Sequence, residues 1–294
     1  MSNVDSKFAD CDGVQVHYLS SGNPENPPVV LLHGGGLDSA GLSWKHAIPA
    51  LTDDFRVIAP DLPGYGRSDD PDATVSMEYY VAVLEQFLDA LSLDTTALVG
   101  ISMGGGVALG FALENQDRVS RLVLVDSYGL GGEIPGGPLS YVFTRLGGTG
   151  FAFSLLARSR WMTALALRSV VSGKPDDELV SEAFAEVRRH GGTAWEGFQR
   201  SEVEPSGLRT NYVGRLPDLT VPTLLIHGER DPIVPVSWAV RAGSLIPDAE
   251  VRIVPTCGHM PPREKPDEFQ KSYRRSFNRT SRSKGIVPRC RGRR

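Results

Sequence analysis

The sequence has no stretch of about 18 apolar residues, which excludes a membrane-spanning helix on composition. It has three cysteines, Cys11, Cys257 and Cys290, far apart and odd in number. That excludes a disulfide framework and a cysteine-built metal site. Lysine is scarce, with only Lys7, Lys45, Lys174 and Lys265 before residue 269. The opening stretch MSNVDSKFADCDG is polar and acidic, so no secretory leader is expected and a cytoplasmic location follows as the default.

Charge is unevenly spread. Residues 269–294 hold ten Lys or Arg and no Asp or Glu, leaving 21 basic against 35 acidic residues in the remainder, a net of −14. An acidic body repels phosphates, so no nucleic-acid partner is expected. It would also suit a protein kept soluble at high salt, although a GC-rich genome equally trades lysine for arginine. The basic end has no apolar periodicity, and residues 278–294 read as a disordered tail.

What is present is an alternation of short apolar runs with helical patterns. VQVHYLSSG alternates like an antiparallel strand. PPVVLLHGG, FRVIAPDLPG, TALVG, VSRLVLVDS, VPTLLIHGERD and AEVRIVPTCGH read as buried strands. SWKHAIPALTDD, MEYYVAVLEQFLDALSLD, GGVALGFALENQ and VSWAVRAGSLIP read as helices between them. The pattern predicts an α/β class with a mostly parallel sheet and helices on both faces. Residues 1–128 and 217–277 form its two parts. Residues 129–216 break the alternation with two or three helices and no strand, and read as a helical cap inserted over the sheet edge.

Chemistry collects at the predicted strand ends. Gly100-Ile101-Ser102-Met103-Gly104 is a G-x-S-x-G turn from a buried strand straight into a helix, the setting of a nucleophilic serine. A Gly-rich turn capped by a serine is the plainer reading of those five residues. His33-Gly34-Gly35-Gly36 ends another strand and offers backbone N–H groups to a developing oxyanion; Gly35 and Met103 are the expected donors. Asp231 follows VPTLLIHGER, with Asp126 as the rival acid, and Asp61 also ends a strand. His259 lies in the loop after the last strand. The order Ser102, Asp231, His259 is nucleophile, acid, base.

LLHGGG, VIAPDLPGYGRSD, LVGISMGGGVAL, LIHGERDPIVP and CGHMPPREKPDEF together resemble the α/β-hydrolase fold superfamily over roughly residues 8–275. The resemblance implies a serine hydrolase that needs neither cofactor nor metal and acts on a small-molecule substrate. A serine at the elbow argues against the members that use a carboxylate nucleophile. HGGG, SMGG and the Gly-rich start of the insertion look like the meta-cleavage-product hydrolases, which break C–C bonds in vinylogous diketones.

The chain departs from that pattern at three positions. Ile101 replaces the usual Asn, and Met260 the usual Trp. Phe184 takes the place of a carboxylate-holding Arg, with Arg188 and Arg189 a helical turn later. Loss of polar anchors favours a more apolar substrate, such as a simple carboxylic ester. C–C hydrolysis and a catalytically idle, ligand-binding scaffold are the alternatives. Gly36, Trp44, Phe184, Arg188 and Met260 are the expected pocket residues, with Trp195, Phe198 and the aromatics of 151–161 as further candidates.

Overall fold

A computed structural model describes residues 4–71, 73–133 and 137–283. Eight strands form one sheet in the order β1-β2-β4-β3-β5-β6-β9-β10. They are β1 Asp5–Cys11, β2 Val14–Ser21, β3 Pro28–Leu32, β4 Arg56–Pro60, β5 Thr96–Ile101, β6 Val119–Val125, β9 Thr223–Gly228 and β10 Ala249–Val254. β2 runs antiparallel to both its neighbours, and the pairings from β4 to β10 are parallel.

Alternation along the strands divides the core. Val30, Leu32, Leu98, Leu122, Leu124 and Leu225 face one side. There they meet α3 (Met77–Ala90), α4 (Met103–Glu114) and α10 (Val236–Leu245). Val29, Leu31, Val99, Val123, Leu224 and Ile226 face the other, against α2 (Ala47–Leu51) and α12 (Pro266–Ser283). Helices on both faces explain why the central strands read as unbroken apolar runs. Each such side chain contributes about 1.5–3 kcal/mol by leaving water.

The insertion between β6 and β9 holds α5 (Pro138–Arg145), α6 (Gly148–Leu156), α7 (Arg160–Leu167), α8 (Asp177–His190) and α9 (Thr193–Glu202). α8 has its start and stop in its sequence. The Asp176 side chain accepts the Leu179 N–H, Asp177 and Glu178 open the helix, and Arg188, Arg189 and His190 close it before a left-handed Gly191. Leu167, Val171, Leu179, Val180 and Ala183 of the insertion pack on Leu42 and Met260 of the body.

Several expectations are corrected here. Asp5–Cys11 is a strand with only Ala9 and Cys11 buried, so it carries no strong apolar alternation to read. Of the helix expected over residues 43–54 only α2 forms, and Ser43 ends a separate short helix, α1 (Ala40–Ser43). Among the described residues the insertion holds five helices rather than two or three; α6 and α7 are separate because Ser159 accepts the Met162 N–H as a new N-cap. The insertion also contains a two-stranded ribbon, β7 (Val203–Glu204) with β8 (Gly207–Leu208). α12 continues to Ser283, so residues 278–283 are helical rather than tail; the rest of the expected tail lies outside the described residues.

Among the described residues no helix is long and apolar enough to cross a membrane.

Candidate active site

Parallel register brings the chemistry together. Leu32 pairs with Gly100, Ile101 with Val125, and Val125 with Ile226. The residues that follow these strands therefore emerge side by side at one edge: His33-Gly34-Gly35, Ser102, Asp126 and the loop to Asp231.

Ser102 has φ 52° and ψ −120°, a conformation that L residues rarely adopt. The strand-to-helix reversal imposes it, and the surroundings hold it. Ser102 N–H donates to the Val125 carbonyl at 2.9 Å, and the Ser102 carbonyl accepts the N–H of Tyr128 at 3.0 Å. The reversal is close-packed: a Cβ at Gly100 would collide with the Gly104 carbonyl, and one at Gly104 with the Leu32 and His33 carbonyls. Those glycines are the only residue type that fits. Met103 N–H opens α4 beside the serine, while the Met103 side chain is buried.

His259 is 6 % exposed. Its Nδ1–H donates to Asp231 Oδ2 at 2.7 Å, which makes Nε2 the ring nitrogen able to accept a proton. Asp231 Oδ1 accepts the N–H groups of Ile233 at 2.7 Å and Val234 at 3.0 Å. Burial works against its ionisation. The hydrogen bond from His259 and the backbone donors outweigh that, and hold the carboxyl below the usual range. The loop carrying His259 is braced from three sides by Glu264. Its Oε2 accepts the N–H of Gly258 at 3.0 Å and of Ser172 at 2.7 Å, and its Oε1 that of Met260 at 3.0 Å.

Asp126 is the second acid. It is fully buried, its Oδ1 accepts the Gly228 N–H at 2.8 Å, and its Oδ2 has no hydrogen-bond partner among the described residues. Burial first, and the Asp231 charge second, push its pKa well above the ordinary carboxylate range. Ligand atoms of Asp126, Asp231 and His259 lie within 4.8 Å of one another. As a metal cradle this set is poor, because an ion would have to replace the His259–Asp231 hydrogen bond. His227 below the pair has its pKa lowered by burial, and its Nε2–H donates to the Val234 carbonyl at 3.0 Å.

Ser102 opens into two lobes. One, of about 250 Å³, is lined by Gly34, Gly35, Gly36, His259 and Met260, with Phe153 and Leu167 from the insertion. The other, of about 220 Å³, is lined by Met103, Tyr128, Phe198, Glu202 and Trp238. Ser102, Trp195 and Ile233 border both. Trp195 covers the glycine loop so closely that a Cβ at Gly35 would strike its ring, and it stacks on Phe198 at 5.6 Å.

The structure thus gathers Ser102, His259, Gly35, Gly36 and Met260 on one cavity and Met103 on the other, with Asp231 behind His259. Three expected pocket residues are elsewhere. Trp44 is wholly buried on the opposite face of the sheet, where it packs against Phe269 at 6.1 Å. Phe184 and Arg188 lie outside both linings, with the Arg188 guanidinium over the Phe184 ring at 5.6 Å. Arg189 is also spent, its guanidinium donating to the Gly66 carbonyl at 2.9 Å. Asp38, Ile233, Tyr128 and Glu202 line the site without having been singled out in the sequence. Only Asp38, two residues past HGGG, had a local signal.

Asp61 is held away from this chemistry. It accepts from His17 Nδ1 at 2.7 Å and from the N–H groups of Ala40 and Arg67.

A family model for the alpha/beta hydrolase fold matches residues 27–266. The chain belongs to the α/β-hydrolase fold family. One relative is the 2-hydroxy-6-oxo-6-(2'-aminophenyl)hexa-2,4-dienoic acid hydrolase of Metapseudomonas resinovorans. It is 33% identical over 276 residues, which is 90% of this chain and 87% of that protein. A solved serine hydrolase involved in carbazole degradation superposes with TM-score 0.80 at 27% identity, covering 94% of this chain and 99% of that one. A membrane phospholipase A structure gives TM-score 0.77 at 26% identity, covering 95% and 87%. The relatives are hydrolases, and this chain is one too.

Proposed function

We propose that the protein hydrolyses small carboxylic esters through an acyl-enzyme on Ser102. His259 Nε2 takes the proton as Ser102 Oγ attacks the carbonyl carbon. The Asp231 carboxylate keeps the imidazole in the right tautomer and balances its charge. The N–H groups of Gly35 and Met103 receive the tetrahedral oxyanion, each worth about 3 kcal/mol of barrier. The imidazolium then returns its proton to the departing alcohol. A water, deprotonated by the same nitrogen, attacks the acyl carbon and frees Ser102.

One observation carries the ester reading: among the described residues, neither lobe has an arginine or lysine in its lining. A dienoate carboxylate would find no cation there, whereas the two arms of a neutral ester fit apolar walls. The phospholipase-like neighbour is consistent with ester chemistry.

C–C hydrolysis is the second reading, favoured by the 33% identical relative named for a dienoic acid substrate. It would use the same Ser102, His259 and Asp231.

The test is hydrolysis of p-nitrophenyl esters of two to twelve carbons by wild type and Ser102→Ala. Loss of activity in the variant supports the reading. Equal activity in both removes Ser102 as nucleophile. No ester activity, with turnover of a vinylogous diketone, moves the assignment to the second reading.

A further inference from the structure

Asp38 is a buried acid of the first lobe that the proposed mechanism leaves unused. It is 7 % exposed and lines the cavity with Ser102 and His259. Its Oδ2 accepts the Gly34 N–H at 2.8 Å and the Ser43 hydroxyl at 2.6 Å. Its Oδ1 accepts the Ser39 N–H at 2.8 Å. All three donors are neutral, and among the described residues no lysine or arginine pairs with this carboxylate.

Gly34 touches both Asp38 and the serine. A methyl group at Gly34 would stand 2.9 Å from Asp38 Oδ2 and 3.4 Å from Ser102 Cβ. Gly34 N–H is committed to Asp38, which leaves the next amide, Gly35, as the one able to face the oxyanion. The rest of this lobe is largely apolar, from Leu37, Leu42, Phe153, Leu156, Leu167 and Val170. Charge repulsion across such a lining is weakly screened. The positive charge that the reaction creates on His259 is already balanced by Asp231.

We propose that Asp38 is a specificity determinant that makes the first lobe reject anionic acyl groups and accept uncharged ones. This deepens the ester reading and rests on it for the role of Ser102. A terminal carboxylate on the acyl arm would meet a like charge with no cation to offset it. The same argument applies to the dienoate class for which the relative is named.

The experiment compares kcat/KM for p-nitrophenyl pentanoate and the p-nitrophenyl monoester of glutaric acid. Wild type is expected to prefer the neutral ester by about a hundredfold, and Asp38→Asn to reduce that preference to about fivefold or less. The ratio cancels any general loss that Asp38→Asn causes through Gly34. Binding of pentanamide against glutaramate, which both place an amide at Ser102 and differ only in a terminal carboxylate, followed by tryptophan fluorescence, gives the same comparison without turnover. Wild type should bind pentanamide at least about tenfold more tightly than glutaramate. Equal binding of the two by wild type overturns the inference, as does an ester preference that Asp38→Asn leaves unmoved. If wild type turns over no ester yet still discriminates against glutaramate and Asp38→Asn abolishes that, the ester reading fails and the role of Asp38 stands.

Discussion

Asp126 and Asp231 end neighbouring strands and bring two carboxyl groups into one buried space, with only Asp231 holding His259. Two like charges so close cannot both form cheaply. The backbone N–H groups of Ile233 and Val234 and the ring of His259 single out Asp231 as the ionised one.

Asp126 should therefore cost stability as pH rises. In the unfolded chain it ionises near 3.8, while in the fold its pKa is raised. Its contribution is whole below the unfolded value and declines as pH climbs toward the folded one, by up to about 1.4 kcal/mol per pH unit. The stability of Asp126→Asn relative to wild type is expected to increase between about pH 5 and pH 8. Urea unfolding at both pH values checks this; a difference that does not change with pH contradicts it. The lowered pKa of Asp231 acts in a separate window. It adds stability above 3.8 that is lost as pH falls through the folded value.

The two acids should also separate in catalysis. Asp231→Asn is expected to lower kcat by about 10³–10⁴, because the imidazole loses its tautomer and its counter-charge. Asp126→Asn should stay within about tenfold of wild type, since Asp126 accepts from Gly228 rather than from His259. Steady-state kinetics on the best ester, with circular dichroism to verify folding, decide the matter. The reverse ranking would make Asp126 the acid.

Glu264 joins the histidine loop to the insertion through Gly258, Met260 and Ser172. Glu264→Ala leaves three N–H groups without their charged acceptor and is expected to destabilise by about 2 kcal/mol or more. Glu264→Gln, which keeps one acceptor, should lose less. Thermal unfolding of the three proteins gives the order, and kcat should fall with it as His259 loosens.

Gly104→Ala is expected to destabilise by about 3 kcal/mol, although alanine is the better helix former. The added methyl would enter the Leu32 and His33 carbonyls. Expression of a folded variant with unchanged unfolding midpoint would show that the elbow is looser than its geometry implies.

The order of elements and the strand-end residues were readable because they depend on local pattern. β3, β5, β6 and β9 are apolar runs that give way to His33-Gly34, Ser102, Asp126 and Gly228, and a G-x-S-x-G between strand and helix has few other uses. β1 was not readable. It is an edge strand, largely exposed, that is specified by its pairing with β2 rather than by its own composition.

The pocket was the least readable part. Trp44 follows the glycine loop closely in sequence, yet its side chain goes to the far face of the sheet. Trp195 comes from α9, far along the chain, and lies directly on Gly35. Arg188 and Arg189 are where a substrate anchor would be sought, and the rotation of α8 turns both to other partners.

By itself the sequence determined the alternation of strands and helices, the chemistry at their ends and the order of Ser102, Asp231 and His259, because backbone propensity and apolar periodicity act over a few residues. Only the tertiary structure decided that Asp231 rather than Asp126 receives His259, that Asp38 lines the cavity, and that among the described residues no lysine or arginine joins it there. Those outcomes depend on how elements distant in sequence pack and on which buried charges find partners, and burial and distance between such groups exist only once the chain has folded.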